Sequence, residues 1–278
     1  MIKVVKTGFY TTIQDTGRYG YRHKGIPVSG VMDAYSANLA NALLGNDKNA
    51  AVLEMTMLGP TLLFMTETEI AITGACMSAA LNNESIINNK KYLVKSGDIL
   101  AFKAVTKGFR SYLAVKDGIQ TPGVLGSRSM YIPITNRSQI ENNTIIPVDT
   151  RIGHTIGYAH IKRDWSWFTD PVLDVYKGPE YDLFPEIGKS LEKNYTVSNV
   201  NNRMAYQVEE AFLVHRHSIL TSATLPGTVQ LTPSGKLIIL MKDAQTTGGY
   251  PRILQLSDMA MAKLAQKRMG DVISFQLL

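Results

Sequence analysis

A single cysteine, Cys76, in a chain of 278 residues leaves no room for an intramolecular disulfide framework. Flanked by Ala75 and Met77, it reads as a small buried thiol rather than a nucleophile. Long apolar runs are missing too. Nothing approaches the ~20 consecutive apolar residues that cross a bilayer, and the opening MIKVVKTGFYTTIQD turns polar too soon for a signal peptide. The cytoplasm is the expected compartment. Charge of one sign is also scarce: 29 Lys and Arg stand against 23 Asp and Glu, a formal +6, with the two signs interspersed. With no basic stripe and no aromatic-basic module, neither nucleic acid nor membrane is an expected partner. The balance supports a mild bias toward anionic small ligands.

Several chemical signatures are absent as well. No GxGxxG occurs, and GKS at Gly188 to Ser190 fails as a P-loop because Leu183 stands where the first glycine belongs. Met241-Lys242 is followed by Asp243 instead of a second methionine, so no covalent biotin is expected on this chain. His215 and His217 lack an obvious third ligand nearby, and no metal site is assigned. Without a GxSxG elbow or a nameable triad, covalent nucleophile chemistry is not visible.

What remains is an ordinary globular composition, 45% apolar, long enough to bury about three quarters of the unfolded chain's surface. The runs IKVV, TLLF, EIAI, YLAV, GTVQL and LIIL, punctuated by Gly, Pro, Asn and Asp, predict a mainly β protein. Two helices are expected. One is DAYSANLANALLGN, capped by Asp33 and stopped at Gly45-Asn46; the other is SDMAMAKLAQKRMG, from Ser257 to Gly270. LGPTLLFMTETEIAIT from Leu58 aligns without gaps onto LPGTVQLTPSGKLIIL from Leu225, and each is followed by a GD-x-x-x-F ending, GDILAF and GDVISF. That echo suggests two similar β domains, residues 1–160 and 161–278, joined near HIKRDWSWFTDP (His160 to Pro171), with a long loop at TNRSQIENNTI (Thr135 to Ile145).

Two polar segments hold the candidate site. KDAQTTGGYPRI, Lys242 to Ile253, follows the hydrocarbon run LIIL with an acid, an amide, hydroxyls and paired glycines. It reads either as a tight turn or as a ligand loop, in which glycines admit close backbone approach while Asp243, Gln245, Thr246, Thr247 and Tyr250 offer donors and acceptors. On the ligand reading, losing Asp243 or Gln245 harms activity and spares the fold; on the turn reading those losses are nearly silent and Gly249 guards the backbone. QDTGRYGYRHKGIPVSGVMD, Gln14 to Asp33, mixes glycines with Gln14, Asp15, Arg18, Arg22, His23, Ser29 and Asp33, and shares Q-x-T-G-x-Y with the first segment. Its plain alternative is a glycine-rich turn with a solvated charged face.

These two segments, with ALLGN, LEMTMLGP, GSRS, YKGPEYDLF and NRMAY, resemble the biotin-dependent carboxyltransferase family, also called allophanate hydrolase subunit 2-like. The resemblance spans nearly the whole chain. It implies two cyclophilin-like β-barrel domains with a few short helices, and a site shared with a homologous partner subunit. Members of the family include components of bacterial 5-oxoprolinase, which work with the A and B subunits of that enzyme to open 5-oxoproline to L-glutamate using ATP. Related domains move a carboxyl group from biotin to urea, and a third role counteracts an inhibitor of a sensor histidine kinase. Departures from the family pattern are Gln207 after NRMAY, Ala223, and ITNRSQIEN in place of a glycine-rich stretch after GSRS.

Opening a lactam with ATP relies on positioning and charge neutralisation rather than on a protein nucleophile, which suits these loops. The resemblance thus implies catalytic roles for Asp243, Gln245 and Arg18. Binding roles fall to Gln14, Asp15, His23, Ser29, Asp33, Arg128, Thr246, Thr247, Gly248, Gly249 and Tyr250. In this scheme Arg18 meets an anionic group, Gln14, Gln245 and Thr246 bond an amide or ureido moiety, and Asp243 takes a proton or Mg²⁺. ATP with Mg²⁺ is expected at the level of the complex. A carboxyltransferase needs similar oxyanion donors, and the absence of a biotin carrier from the sequence favours the lactamase.

Overall fold

The computed structural model describes residues 1–149, 161–162 and 166–278. Residues 160 and 163–165 of the expected connection lie outside them. The chain divides into two compact units, Met1–Arg18 with Ser29–Asp164, and Tyr19–Val28 with Trp165–Leu278. An excursion of the N-terminal glycine-rich segment thus belongs to the second unit.

The first unit contains two sheets. A six-stranded one runs in the order Ile145–Ile146, Ile2–Lys6, Thr61–Phe64, Ile99–Ala101, Ala80–Leu81, Glu84–Ser85. A five-stranded one runs Tyr10–Gln14, Val52–Thr56, Lys107–Val115, Thr68–Cys76, Lys91–Val94. Ile2, Val4, Leu62 and Phe64 from the one sheet pack with Ile13, Leu53, Ile70 and Leu113 from the other in one apolar core. On the opposite face of the five-stranded sheet, helix Ala34–Leu43 lays Ala37, Ala40 and Leu43 against Val52, Ala71 and Ala114. Cover on both faces explains why Val52–Thr56 is buried throughout rather than alternating. As expected, Asp33 caps that helix, accepting from Ser36 N at 2.9 Å.

The second unit is a closed seven-stranded barrel: Val172–Lys177, Arg252–Leu256, Thr228–Leu231, Leu237–Leu240, Ala205–Val208, Asn194–Asn201, Val272–Leu277. Its seam is a parallel pairing of Val172–Lys177 with Val272–Leu277, the other pairs being antiparallel. Alternate residues such as Leu173, Val175, Val229, Leu231, Leu237 and Ile239 are fully buried, the period-two signature of one face turned inward. Closure leaves no free sheet edge in the barrel.

Two expectations need correction. The second helix spans Asp258–Leu264, capped by Ser257, and ends well before Gly270, which takes φ +87° in the turn into the last strand. Each aligned repeat segment contains two strands, but Thr61–Phe64 and Thr68–Cys76 lie in different sheets, whereas Thr228–Leu231 and Leu237–Leu240 form a hairpin. Hydrophobic alternation specifies a strand and one buried face, and leaves the pairing partner open.

Candidate functional site

The predicted residues fall into one group per unit. In the first, Gln14, Asp15, Arg18, Ser29 and Asp33 are each at most 4% exposed, and the carboxylate of Asp15 and the donors of Arg18 and Gln14 bond groups of the protein itself. Asp15 Oδ1 accepts from Gly17 N, Ser127 Oγ and Ser129 Oγ at 2.9, 2.6 and 2.6 Å, and Oδ2 accepts from Arg128 N at 2.6 Å. One carboxylate so ties QDTG to GSRS. Arg18 donates from Nε to Val124 O (3.0 Å) and from Nη2 to Ser129 O (2.9 Å). Enclosed on carbonyls, it meets an external anion only if the loop opens. Gln14 Nε2 donates to Thr12 Oγ1 and Met130 O at 3.1 and 3.3 Å.

The loop ahead of the first helix is held from below. Glu54 Oε2 accepts from Met32 N (2.7 Å) and from Tyr112 Oη (2.9 Å), which in turn accepts from Asp33 N at 2.8 Å. Burial, reinforced by the Glu54 and Asp33 charges, holds the Tyr112 phenol well above its ordinary value, so it stays a donor. Ser29 sits at φ +56°, and its buried Oγ has no partner among the described residues.

The second group is built from Asp243 to Tyr250 with three partners that are distant in sequence. Thr247–Gly248 pairs with Ser222–Ala223 in a two-stranded ribbon. Thr224 extends it, its N donating to Thr246 O (3.0 Å) and its Oγ1 to Gln245 O (2.7 Å). The segment is therefore an ordered ribbon rather than a bare turn. Arg22, from the 19–28 excursion, donates to Thr224 O through Nη2. Burial lowers the Arg22 guanidinium from its usual value. His23, beside it, is exposed.

Beneath the ribbon, Asp243 is gripped at both oxygens by Arg203, Nε to Oδ2 at 2.7 Å and Nη2 to Oδ1 at 3.2 Å. Gln230, 1% exposed, bridges Gln245 Nε2 (3.5 Å) and Tyr250 O (3.4 Å). Arg252 donates to Ala223 O at 2.7 Å and is itself clasped by Glu180, Nη2 to Oε1 at 2.7 Å and Nε to Oε2 at 2.9 Å. The Arg252 hydrogen bonds lower the Glu180 carboxyl from its usual range. The glycines differ: a Cβ on Gly248 would lie 2.4 Å from Gln230 Nε2, whereas Gly249 is open, with Thr221 Oγ1 at 4.0 Å. Neither takes positive φ. The expectation that Gly249 guards the backbone is corrected, because Gly248 has the close approach.

What faces outward is Gln245, Thr247, Gly249 and Tyr250, all exposed. An amide, a hydroxyl and a phenol on a pinned ribbon beside an arginine suit recognition of a polar, non-nucleophilic group such as an amide or ureide. Arg22, Arg203, Thr224, Gln230 and the Glu180–Arg252 pair escaped sequence reasoning as site residues. The NRMAY and YKGPEYDLF strings contain Arg203 and Glu180, but only the fold supplies their partners. The shared Q-x-T-G-x-Y has no shared geometry: Gln14 is fully buried and Gly17 has φ +114°, whereas Gln245 is exposed.

The comparisons give the class, a carboxyltransferase-type protein. Residues 24–277 match the family model described as carboxyltransferase domain, subdomain A and B, and the chain belongs to that family. It is 34% identical to the C subunit of Escherichia coli 5-oxoprolinase, over 99% of this chain and 90% of that protein. Among solved structures it is similar to TTHA0988, with TM-score 0.90 and 27% identity over 99% of this chain. It is also similar to the Kluyveromyces lactis urea carboxylase, with TM-score 0.86 and 27% identity over the whole of this chain. The chain spans 55% of the first structure and 27% of the second.

Proposed function

We propose that this chain acts as the C subunit of an ATP-dependent 5-oxoprolinase, working with the A and B subunits to open 5-oxoproline to L-glutamate. The observation that carries the reading is the end-to-end similarity to the corresponding E. coli protein, 34% identity across 90% of its length. In this reading the ribbon at Gln245 to Tyr250 bonds the lactam amide. Arg22, whose guanidinium bonds Thr224 O through Nη2, turns its remaining donors to the substrate carboxylate.

Among the described residues, the site around Asp243 does not fit Mg²⁺. Both Asp243 oxygens are spent on Arg203, and no group of three His, Cys, Asp or Glu suited to a metal gathers among the described residues. Nucleotide and metal are accordingly assigned to the complex. The test is glutamate release from 5-oxoproline and ATP by this chain with its cognate A and B subunits, set against each component alone. Activity only in the full mixture is expected. A second reading, carboxyl transfer to a urea-like substrate from biotin supplied in trans, rests on the similarity to urea carboxylase; ATP-independent decarboxylation of carboxybiotin by the chain would favour it.

A further inference from the structure

The first unit contains a cavity of about 480 Å³ that the proposed function leaves unused. Its volume falls within the ~300–1,000 Å³ of small-molecule sites. The walls are mainly apolar, with Ile13, Val124, Met130 and Ile134 prominent, and Arg128 lies at the polar side. Arg128 is held in place by Nε on Thr121 O (2.8 Å) and Nη2 on Gln120 Oε1 (3.2 Å). Those acceptors are neutral, and no carboxylate pairs with the Arg128 side chain among the described residues. The other guanidinium on the wall, Arg137, already has Glu141 at 3.4 Å. Next to Arg128, the buried Thr121 Oγ1 has no hydrogen-bond partner among the described residues.

A pocket with a mainly apolar surface that offers a guanidinium without a carboxylate partner and a spare hydroxyl suits a ligand with an anionic head and an apolar body. We propose that this cavity binds an amphiphilic monocarboxylate, its carboxylate on Arg128 and Thr121 and its aliphatic body against Ile13, Met130 and Ile134. Such a site shares no residue with the ribbon.

The probes are hexanoate, hexanol, acetate and 5-oxoproline, titrated calorimetrically into the full chain. Hexanoate should saturate one site with Kd below about 1 mM, and hexanol, lacking the charge, and acetate, lacking the body, should each bind at least ~10-fold more weakly. Ile134→Trp, which fills the cavity, and Arg128→Met, which removes the charge, should each abolish hexanoate binding. Thermal melts confirm that each variant is folded, and either folded variant alone suffices. The proposal is overturned by absence of saturable hexanoate binding, by hexanol binding as tightly as hexanoate, by hexanoate binding that survives in a folded Ile134→Trp or Arg128→Met, or by 5-oxoproline displacing hexanoate at equal concentration.

Discussion

Arg203 and Asp243, forty positions apart, form a two-pronged ion pair under the polar ribbon, with the side chains 7% and 11% exposed. Taking away one member strands the other's charge out of water, which costs about 3–5 kcal/mol in comparable buried pairs. Asp243→Ala should therefore unfold at clearly lower temperature, contrary to the expectation that it touches activity alone. Arg203→Met should behave alike, and the double variant should recover part of the loss. Thermal denaturation of the three proteins checks this.

The glycines predict a graded series. A Cβ on Gly178 would lie 2.1 Å from Arg252 O, a backbone atom, whereas the one on Gly248 meets the end of the Gln230 side chain. Gly178→Ala should cost at least about 2 kcal/mol by forcing backbone apart, Gly248→Ala less, and Gly249→Ala least. Urea unfolding midpoints should fall in that order.

Glu180 gives a pH signature. Its folded carboxyl is lowered from 4.5, first by the Arg252 side-chain hydrogen bond. The stabilisation it provides is present above the unfolded value and is lost as pH falls through the lower, folded one. The drop in melting temperature below pH 4.5 should be shallower in Glu180→Gln than in the wild type, although the variant is less stable at pH 7.

Tyr112 tests the support of the Asp33 loop. Tyr112→Phe strips a buried partner from both Glu54 and Asp33 N, a change worth about 1–3 kcal/mol. Hydrogen exchange at Met32 and Asp33 should accelerate in the variant.

The strand runs and the Asp33 and Ser257 caps were legible because each rests on residues within one turn or one strand of each other. The mixed-polarity string DAQTTGGYP marked a segment that the fold orders as a ribbon. Invisible were relationships that only the folded chain creates: Arg203 on Asp243, Gln230 under Gly248, and Arg22 reaching Thr224 from two hundred positions away. The buried roles of Asp15 and Arg18 were hidden for the opposite reason, since a charged residue in a glycine-rich string reads the same whether it faces a ligand or a neighbouring carbonyl.

Whether the ribbon recognises the lactam is decided by glutamate release from the chain assembled with the A and B subunits, comparing wild type with Gln245→Ala. Gln245 is exposed, and its side chain makes one long hydrogen bond among the described residues, to Gln230 at 3.5 Å, so melting temperature should hold while turnover falls ten- to a thousand-fold, about 1.4–4 kcal/mol of transition-state stabilisation. Wild-type turnover in the assembled variant, or full turnover by the A and B subunits without this chain, would refute that role.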